Sequence, residues 1–363
     1  MEKKSFYDLT FDQLKEFLID KVGIVEKQAK MRSQQMFNAI YKKNIKSFDE
    51  LTTFSLELRE KIKDLISLEK SAKIIEIQKS KNDGTIKFLL ELNKDKRQTE
   101  TVLIPNKSKS KYTICLSVSV GCFLNCQFCA TAQIPKKLVR NLSASEIMSQ
   151  IMLCKEYLND WKTSNKLVKT QVLMGSGDFA LNAENVRTYI QNAKHKDSLD
   201  YGRTRITVSS VGLGNKIKDL SVIEWAAREL DVYFAWSLHN PINKQRLEMM
   251  PNGNYSIDDL IPKFKKYYQI TKLPIFIEYV ALENNITKEH ANALVSLMKK
   301  VPSKLNLIEY NPLDNRDFKP ATQENIDIFS KIIQDNGFLA LFRKSKGRDI
   351  NASCGSLALK KIN

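Results

Sequence analysis

Cys122, Cys126 and Cys129 stand in the run GCFLNCQFCATAQ, with three and then two residues between them. This spacing puts three thiolates on one short loop, one fewer than a closed metal site takes. An iron–sulfur cube held by three cysteines keeps one iron open to a further ligand. S-adenosylmethionine is such a ligand, and its reductive cleavage yields a carbon radical. The competing reading is a zinc knuckle completed by a distant side chain. Structural zinc sites commonly present their ligands as two short-spaced pairs. The chain offers no second pair, and His195 and His290 fall in polar stretches expected at the surface. The motif therefore points to a [4Fe–4S] cluster rather than zinc.

Two other cysteines extend the chemistry. Cys115 sits in an apolar run before the cluster loop, and Cys354 lies far downstream in DINASCGSLA. On a barrel, a strand residue and a C-terminal loop residue can face one cavity. A thiol pair beside a radical centre can accept a methyl group, present it, and release product through a disulfide. Residue type alone leaves open a second reading, in which one is a core cysteine and the other an incidental thiol. Cys154 shares a helix face with Ile151 and Leu158 and reads as core.

The elements that must position these residues follow from periodicity. Met36, Phe37, Ile40 and Tyr41 repeat at helical spacing, as do Leu56, Leu58, Ile62 and Leu65. The period then changes to that of strands in KIIEIQKS, TIKFLLELN and TETVLIP, with Asn82-Asp83-Gly84 as a hairpin turn. From there strands alternate with helices: YTICLSVSVG, KTQVLMG, RITVSSVG, DVYFAWSLH, LPIFIEYVAL and KLNLIEYNP, with helical patterns such as LSASEIMSQIMLCKEYL between them. Six strands so separated predict parallel βα units in a barrel or partial barrel. Chemistry in such folds gathers at the carboxyl ends of the strands. The cysteine loop, Gly175–Asp178, Ser209, Ser237–His239 and Asn311 all fall there.

The 363 residues carry a net charge of +17, which favours a polyanionic partner, nucleic acid before membrane. Lys107, Lys109, Lys111, Lys136 and Lys137 flank the cysteine loop, and Arg343, Lys344, Lys346 and Arg348 cluster near the C-terminus. The N-terminus is charged and amphipathic, with no apolar signal core, and no apolar run reaches membrane-spanning length. Six cysteines, three of them crowded on one loop, suit a reducing interior, so a cytoplasmic protein with no membrane partner is expected.

Together, TICLSVSVGCFLNCQFCATAQ, RNLSASEI, SLHNP, EYNP, the closing FRKSKGRDINASCGSLA and the N-terminal RSQQMFNAIYKKNIKSFDELTTFSLELREKI resemble the RlmN/Cfr family of radical S-adenosylmethionine RNA methyltransferases. The resemblance spans essentially the whole chain. It implies an α/β fold with a partial (βα)6 TIM-like barrel over 108–350 and a helical RNA-binding domain over 1–70. A β-meander extension over 71–107 and a catalytic-cysteine segment over 351–363 complete it. Cys122, Cys126 and Cys129 would hold one [4Fe–4S] cluster. Gly177, Asp178, Ser209, Ser237, Leu238, His239 and Asn311 would line the S-adenosylmethionine site. Cys354 would be methylated by one S-adenosylmethionine, and a second would yield the radical that activates this methyl for addition to an adenine ring carbon. Cys115 would resolve the adduct, leaving a disulfide, and Glu100 matches the proposed proton acceptor. The implied partners are 23S ribosomal RNA, tRNA in some members, and an electron donor such as flavodoxin or ferredoxin. The protein is expected to be a monomer.

The chain departs from the family pattern in places. Gly175-Ser176-Gly177-Asp178-Phe179 replaces Gly-Met-Gly-Glu-Pro, Ser119 replaces a common glutamine, and Ser209-Ser210-Val211-Gly212 replaces Ser-Thr-Ser-Gly. The loop from Gln133 to Arg140 is longer and lacks a glycine. The N-terminal match and the TAQ after the cluster lean towards methylation at adenine C2. The alternatives are C8 methylation and a catalytically silent iron–sulfur RNA-binding protein, against which the retained Cys115 and Cys354 argue.

Overall fold

The computed structural model describes residues 3–108, 110–135, 139–161, 165–253, 255–313 and 316–357. Lys109, Lys136 and Lys137, singled out above as basic flanks of the cysteine loop, lie outside the described residues.

A single ten-stranded sheet organises the chain. Its strands are β1 (Ala72–Lys79), β2 (Ile86–Leu92), β3 (Gln98–Pro105), β4 (Tyr112–Cys115), β5 (Val168–Leu173), β6 (Ile206–Ser210), β7 (Tyr233–Ser237), β8 (Ile275–Ala281), β9 (Ser303–Glu309) and β10 (Ala340–Arg343). Spatial order follows chain order from β1 to β10. The first four strands pair antiparallel, and each from β4 onward pairs parallel with the next. A monotonic order is that of a barrel wind; a doubly wound sheet reverses direction at a switch point. The β1–β3 meander thus continues the barrel sheet. β10 is a seventh parallel strand beyond the six read from sequence. It is four residues long with alternate residues exposed, inside the basic run LFRKSK, so it leaves little periodic signal.

Helices cover the sheet: α1 (Phe11–Phe17), α2 (Glu26–Phe37), α3 (Leu56–Leu65), α4 (Ala144–Leu158), α5 (Ala183–Lys194), α6 (Val222–Glu229), α7 (Asn243–Met249), α8 (Ile257–Thr271), α9 (Lys288–Met298) and α10 (Gln323–Asp335). α4 starts at a reciprocal cap in which Ser143 accepts from the Glu146 amide and Glu146 accepts from the Ser143 amide. Glu146 also takes Arg140, whose guanidinium reaches Asp95 in the β2–β3 turn at 2.6 and 3.0 Å. One arginine therefore joins the exit of the cysteine loop to the meander.

The N-terminal helices gather Phe6, Tyr7, Phe37 and Tyr41 into an edge-to-face cluster. This unit docks on α4 and α5: Asp8 accepts from the Ser145 amide at 2.7 Å, and Asn192 donates to the Leu9 carbonyl at 3.0 Å. His195 stacks on Phe11 at 4.3 Å between ring centroids. The surface placement expected for His290 is corrected. It is 3% exposed and sits between Thr287 and Gln245, both at 2.7 Å, because the α9 face carrying it packs inward. Cys154 is fully buried in the core.

After β10, residues 345–357 run back across the sheet. The Ser345 amide donates to Glu309 at the end of β9, Lys346 donates to the Pro105 carbonyl at 2.6 Å, and the Gly347 amide donates to Asp83 in the first hairpin turn at 2.8 Å. Asp349 returns to the same hairpin by accepting from the Lys81 amide at 3.1 Å. Gly347 has φ +67, and a Cβ there would lie 2.8 Å from Ala352 and 2.9 Å from Thr85, so the turn needs glycine. Of the C-terminal basic cluster, Lys346 is held on the Pro105 carbonyl, while the exposed Arg348 pairs with Glu309 at 3.2 Å.

In the core, Phe234 of β7 is fully buried and packs edge-to-face on Phe179, Phe264 and Tyr267. Phe234→Ala should lower stability by about 3–5 kcal/mol in denaturant unfolding, the cost of an unfilled aromatic cavity.

Candidate active site

The cysteine loop leaves the sheet just beyond β4, where the short strand Ser119–Val120 pairs with Arg140–Asn141. Cys122, Cys126 and Cys129 are all partly buried and unpaired. Burial pushes the Cys122 thiol up to about 12 and raises that of Cys126 as well; Cys129 adds to both rises, and Cys122 adds to that of Cys126. Three partly buried thiols close enough to influence one another suit a cationic iron–sulfur core that compensates their charge. Among the described residues, no three His, Cys, Asp or Glu side chains converge on one ion. In a four-iron cube each thiolate holds a different iron, so its donors need no single focus. α7 and the turn after it pack against this loop. The Gln127 amide donates to the Met249 carbonyl, and Asn252 donates to the Phe123 carbonyl. Arg246 is fully buried and couples electrostatically to Cys126.

The other predicted residues surround this loop. Gly177 has φ +94, and a Cβ there would stand 2.1 Å from the Ser119 hydroxyl, so the Gly175–Asp178 turn lies directly on the chain that leads into the cluster loop. Asp178 is buried, which raises its carboxyl to about 6. Its two oxygens accept from the Ala180 and Val211 amides, both at 2.9 Å, and these bonds oppose the rise. The carboxylate that replaces the family's glutamate therefore straps the β5 turn to the β6 turn. Ser209 and Ser237, on adjacent strands, have hydroxyls 3.2 Å apart.

Leu238 is buried, and its amide donates to the Trp236 carbonyl. His239 has φ +57, its ring packs on Phe128, and burial lowers it to about 3, with Arg246 adding to the effect. Its Nδ1 accepts from the Val280 amide at 3.1 Å, which leaves Nε2–H as a donor. Asn311 donates to the Cys354 carbonyl at 3.2 Å, while its Oδ1 is buried without a protein partner. A hydroxyl pair, a neutral imidazole donor and an orphaned amide acceptor fit the polar groups of a nucleoside with an amino-acid tail.

The Cys354 loop is pinned from several sides. The Ala130 amide donates to the Gly355 carbonyl at 2.7 Å, and Thr131 donates to the Leu357 carbonyl at 2.8 Å, both from the cluster loop. Ile350, Ala352 and Leu357 pack with Val102 and Cys115. Cys354 is exposed, yet the surrounding protein raises its thiol to about 11; Glu278 adds to the rise and Arg343 opposes it. Cys115 is 8% exposed, and burial raises its thiol, with the nearby Cys354 contributing. Glu100 is buried beside Lys87, 3.1 Å away.

The sequence reading missed Glu278, Lys87 and Arg246. Glu278 is 5% exposed on β8 and accepts from Asn306 at 2.8 Å. A lone carboxylate inside the apolar strand IFIEYVA was the available signal. Two variants test the geometry. Cys126→Ala should fail to retain iron and sulfide after anaerobic reconstitution, read by metal analysis. Gly177→Ala should destabilise the protein by about 1–3 kcal/mol in thermal unfolding, through strain and overlap with Ser119.

Residues 5–68 match the family model described as the ribosomal RNA large subunit methyltransferase N-terminal domain. A probable dual-specificity RNA methyltransferase RlmN from Christiangramia forsetii is 35% identical over 360 residues, covering 99% of this chain and 97% of the relative. A dual-specificity RNA methyltransferase RlmN from Parvibaculum lavamentivorans is also 35% identical, covering 96% and 86%. The crystal structure of a radical SAM methyltransferase from Sphaerobacter thermophilus superposes with a TM-score of 0.85 at 29% identity, covering 98% of this chain and all of that one. The thiol trio, the strand-end polar groups and the full-length likeness agree: this chain belongs to the RlmN family of RNA methyltransferases, built on the radical S-adenosylmethionine fold.

Proposed function

We propose that the protein methylates C2 of an adenosine in 23S ribosomal RNA, and of an adenosine in the tRNA anticodon loop, through a methylated Cys354. The observation that carries this reading is the way the Cys354 loop is bonded to the cluster loop and to Asn311 while packing on the face that holds Cys115. Two thiols distant in sequence but near enough to influence each other electrostatically suit a carrier and a resolving partner better than two unrelated core cysteines.

When bound, the cluster on Cys122, Cys126 and Cys129 and the S-adenosylmethionine beside Ser209, Ser237, His239 and Asn311 supply the methyl group and the radical that activates it. The chain's own residues do the rest. Cys354 presents the one-carbon unit on its sulfur, and a carbon–carbon bond forms to the adenine ring. Glu100 takes the proton leaving that ring carbon. Cys115 then attacks the Cys354 sulfur; a sulfur–sulfur bond forms, the sulfur–carbon bond breaks, the released carbon takes the proton given up by the Cys115 thiol to become the methyl group, and the adduct's odd electron would return to the bound cluster as the methylated base departs. A reductant of flavodoxin or ferredoxin type restores the dithiol. The enclosing loops hold the reacting atoms together and exclude water, the main contribution a protein makes to such chemistry.

The basic surface supports an RNA substrate, and the relatives' dual specificity supports the tRNA assignment. No helix among the described residues is long and apolar enough to cross a membrane. Cys354→Ala should abolish methyl transfer to RNA, and Cys115→Ala should accumulate a covalent protein–RNA adduct on denaturing gels. Absence of that adduct in an otherwise competent Cys115→Ala enzyme would overturn the resolving role. Mass analysis of the modified nucleoside separates C2 from C8, and 8-methyladenosine as the product would replace the C2 assignment.

A further inference from the structure

Lys87 of β2 stands opposite Val102 of β3, Glu100 stands opposite Leu89, and Val102 in turn stands opposite Cys115 of β4. Residues directly opposite one another across a ladder share a face, and so do alternate residues along a strand. Lys87, Glu100, Val102 and Cys115 therefore occupy one face of the sheet, the face on which Ile350, Ala352 and Leu357 settle. Lys87 Nζ lies 3.1 Å from Glu100 Oε1, with side-chain exposures of only 3% and 2%. The same ammonium donates to the carbonyl of Asn351 at 3.4 Å, three residues before Cys354.

A buried ion pair is a weak device for stability, because an apolar pair of similar volume commonly does as well. Its worth here lies in what each charge does for its neighbours. A carboxylate buried without a cation gives up its charge, and a protonated acid cannot accept a proton. An ammonium can hold that charge and also fasten a backbone carbonyl.

We propose that Lys87 is a positioning residue for methyl transfer: its ion pair fixes the Glu100 carboxylate beneath the Cys354 loop, and its bond to Asn351 ties that loop to the sheet. The proposal rests on the reading of Glu100 as the proton acceptor. Methylation of Cys354 requires no proton acceptance by Glu100, so loss of Lys87 should divide the reaction into an intact first half and a failed second half.

The reconstituted full-length enzyme tests this with Lys87→Met, Lys87→Arg, Glu100→Gln and the double variant Lys87→Met/Glu100→Gln. Mass spectrometry reads methyl-Cys354, nucleoside analysis reads RNA product, and thermal melting reads folding. The expected result is methyl-Cys354 in Lys87→Met near the parental level, with RNA product down about 100-fold, as for loss of a general base. Lys87→Arg should recover most product, and the double variant should be no worse than Glu100→Gln alone. Lys87→Met with parental product formation, while Glu100→Gln is impaired, overturns the proposal. So does loss of methyl-Cys354 together with a lowered melting temperature that Lys87→Arg does not restore, since that is a purely structural role. Full product formation by Glu100→Gln sinks the proton-acceptor reading itself, a different failure from either.

Discussion

Residues 345–357 must cross from the last strand of the sheet to the first hairpin, and the site depends on that crossing. β10 and β1 are the two edges of the ten-stranded sheet, and no ladder among the described residues joins them. The segment spans the opening with side chains and turns: Lys346 to Pro105, Gly347 and Asp349 to the first hairpin, and residues 355–357 to the cluster loop. Ordering such a loop costs about 1–2 kcal/mol per residue in backbone entropy. Hydrogen bonds of about 0.5–1.5 kcal/mol each offset this together with the apolar burial of Ile350, Ala352 and Leu357. No single bond holds the loop; their placement along its whole length does.

The electrostatics of the cavity follow from the same enclosure. Burial raises the thiols of Cys115, Cys122, Cys126 and Cys354, and it keeps His239 neutral. Arg343 and Glu278 act on Cys354 in opposite senses, so the barrel interior itself does little to ionise it. Positive charge from a ligand lowers a neighbouring thiol and favours its thiolate.

The departures from the family pattern have structural readings. Shortening the usual glutamate to Asp178 lets the carboxylate reach the Ala180 and Val211 amides and lock two strand-end turns together. Ser119, where a glutamine is common, leaves just enough room for the Gly177 turn to approach. Ser176 takes part as well: its amide donates to Ser117, and its hydroxyl donates to the Gly121 carbonyl at the root of the cluster loop. Small residues have replaced larger ones where two backbone segments press together.

Local patterns were legible in the chain itself. Three closely spaced cysteines, period-two apolar runs broken by helices, and the Asn82-Asp83-Gly84 turn each occupy few residues, and their physics is short-range. So the cluster loop, the six central strands and the strand-end polar groups could be read from order alone. β10 could not, because four residues within a basic run carry no clear period. The burial of His290 could not either, because the polarity of a stretch does not say which face of its helix packs inward. Nor could the neighbours of Cys354, of Glu278 or of the Lys87–Glu100 pair. Those depend on strand register and on a terminal segment that closes a gap between residues more than two hundred positions apart. Long-range approach is set by how the whole sheet curves and where its edges stop, and that exists only once the chain has folded.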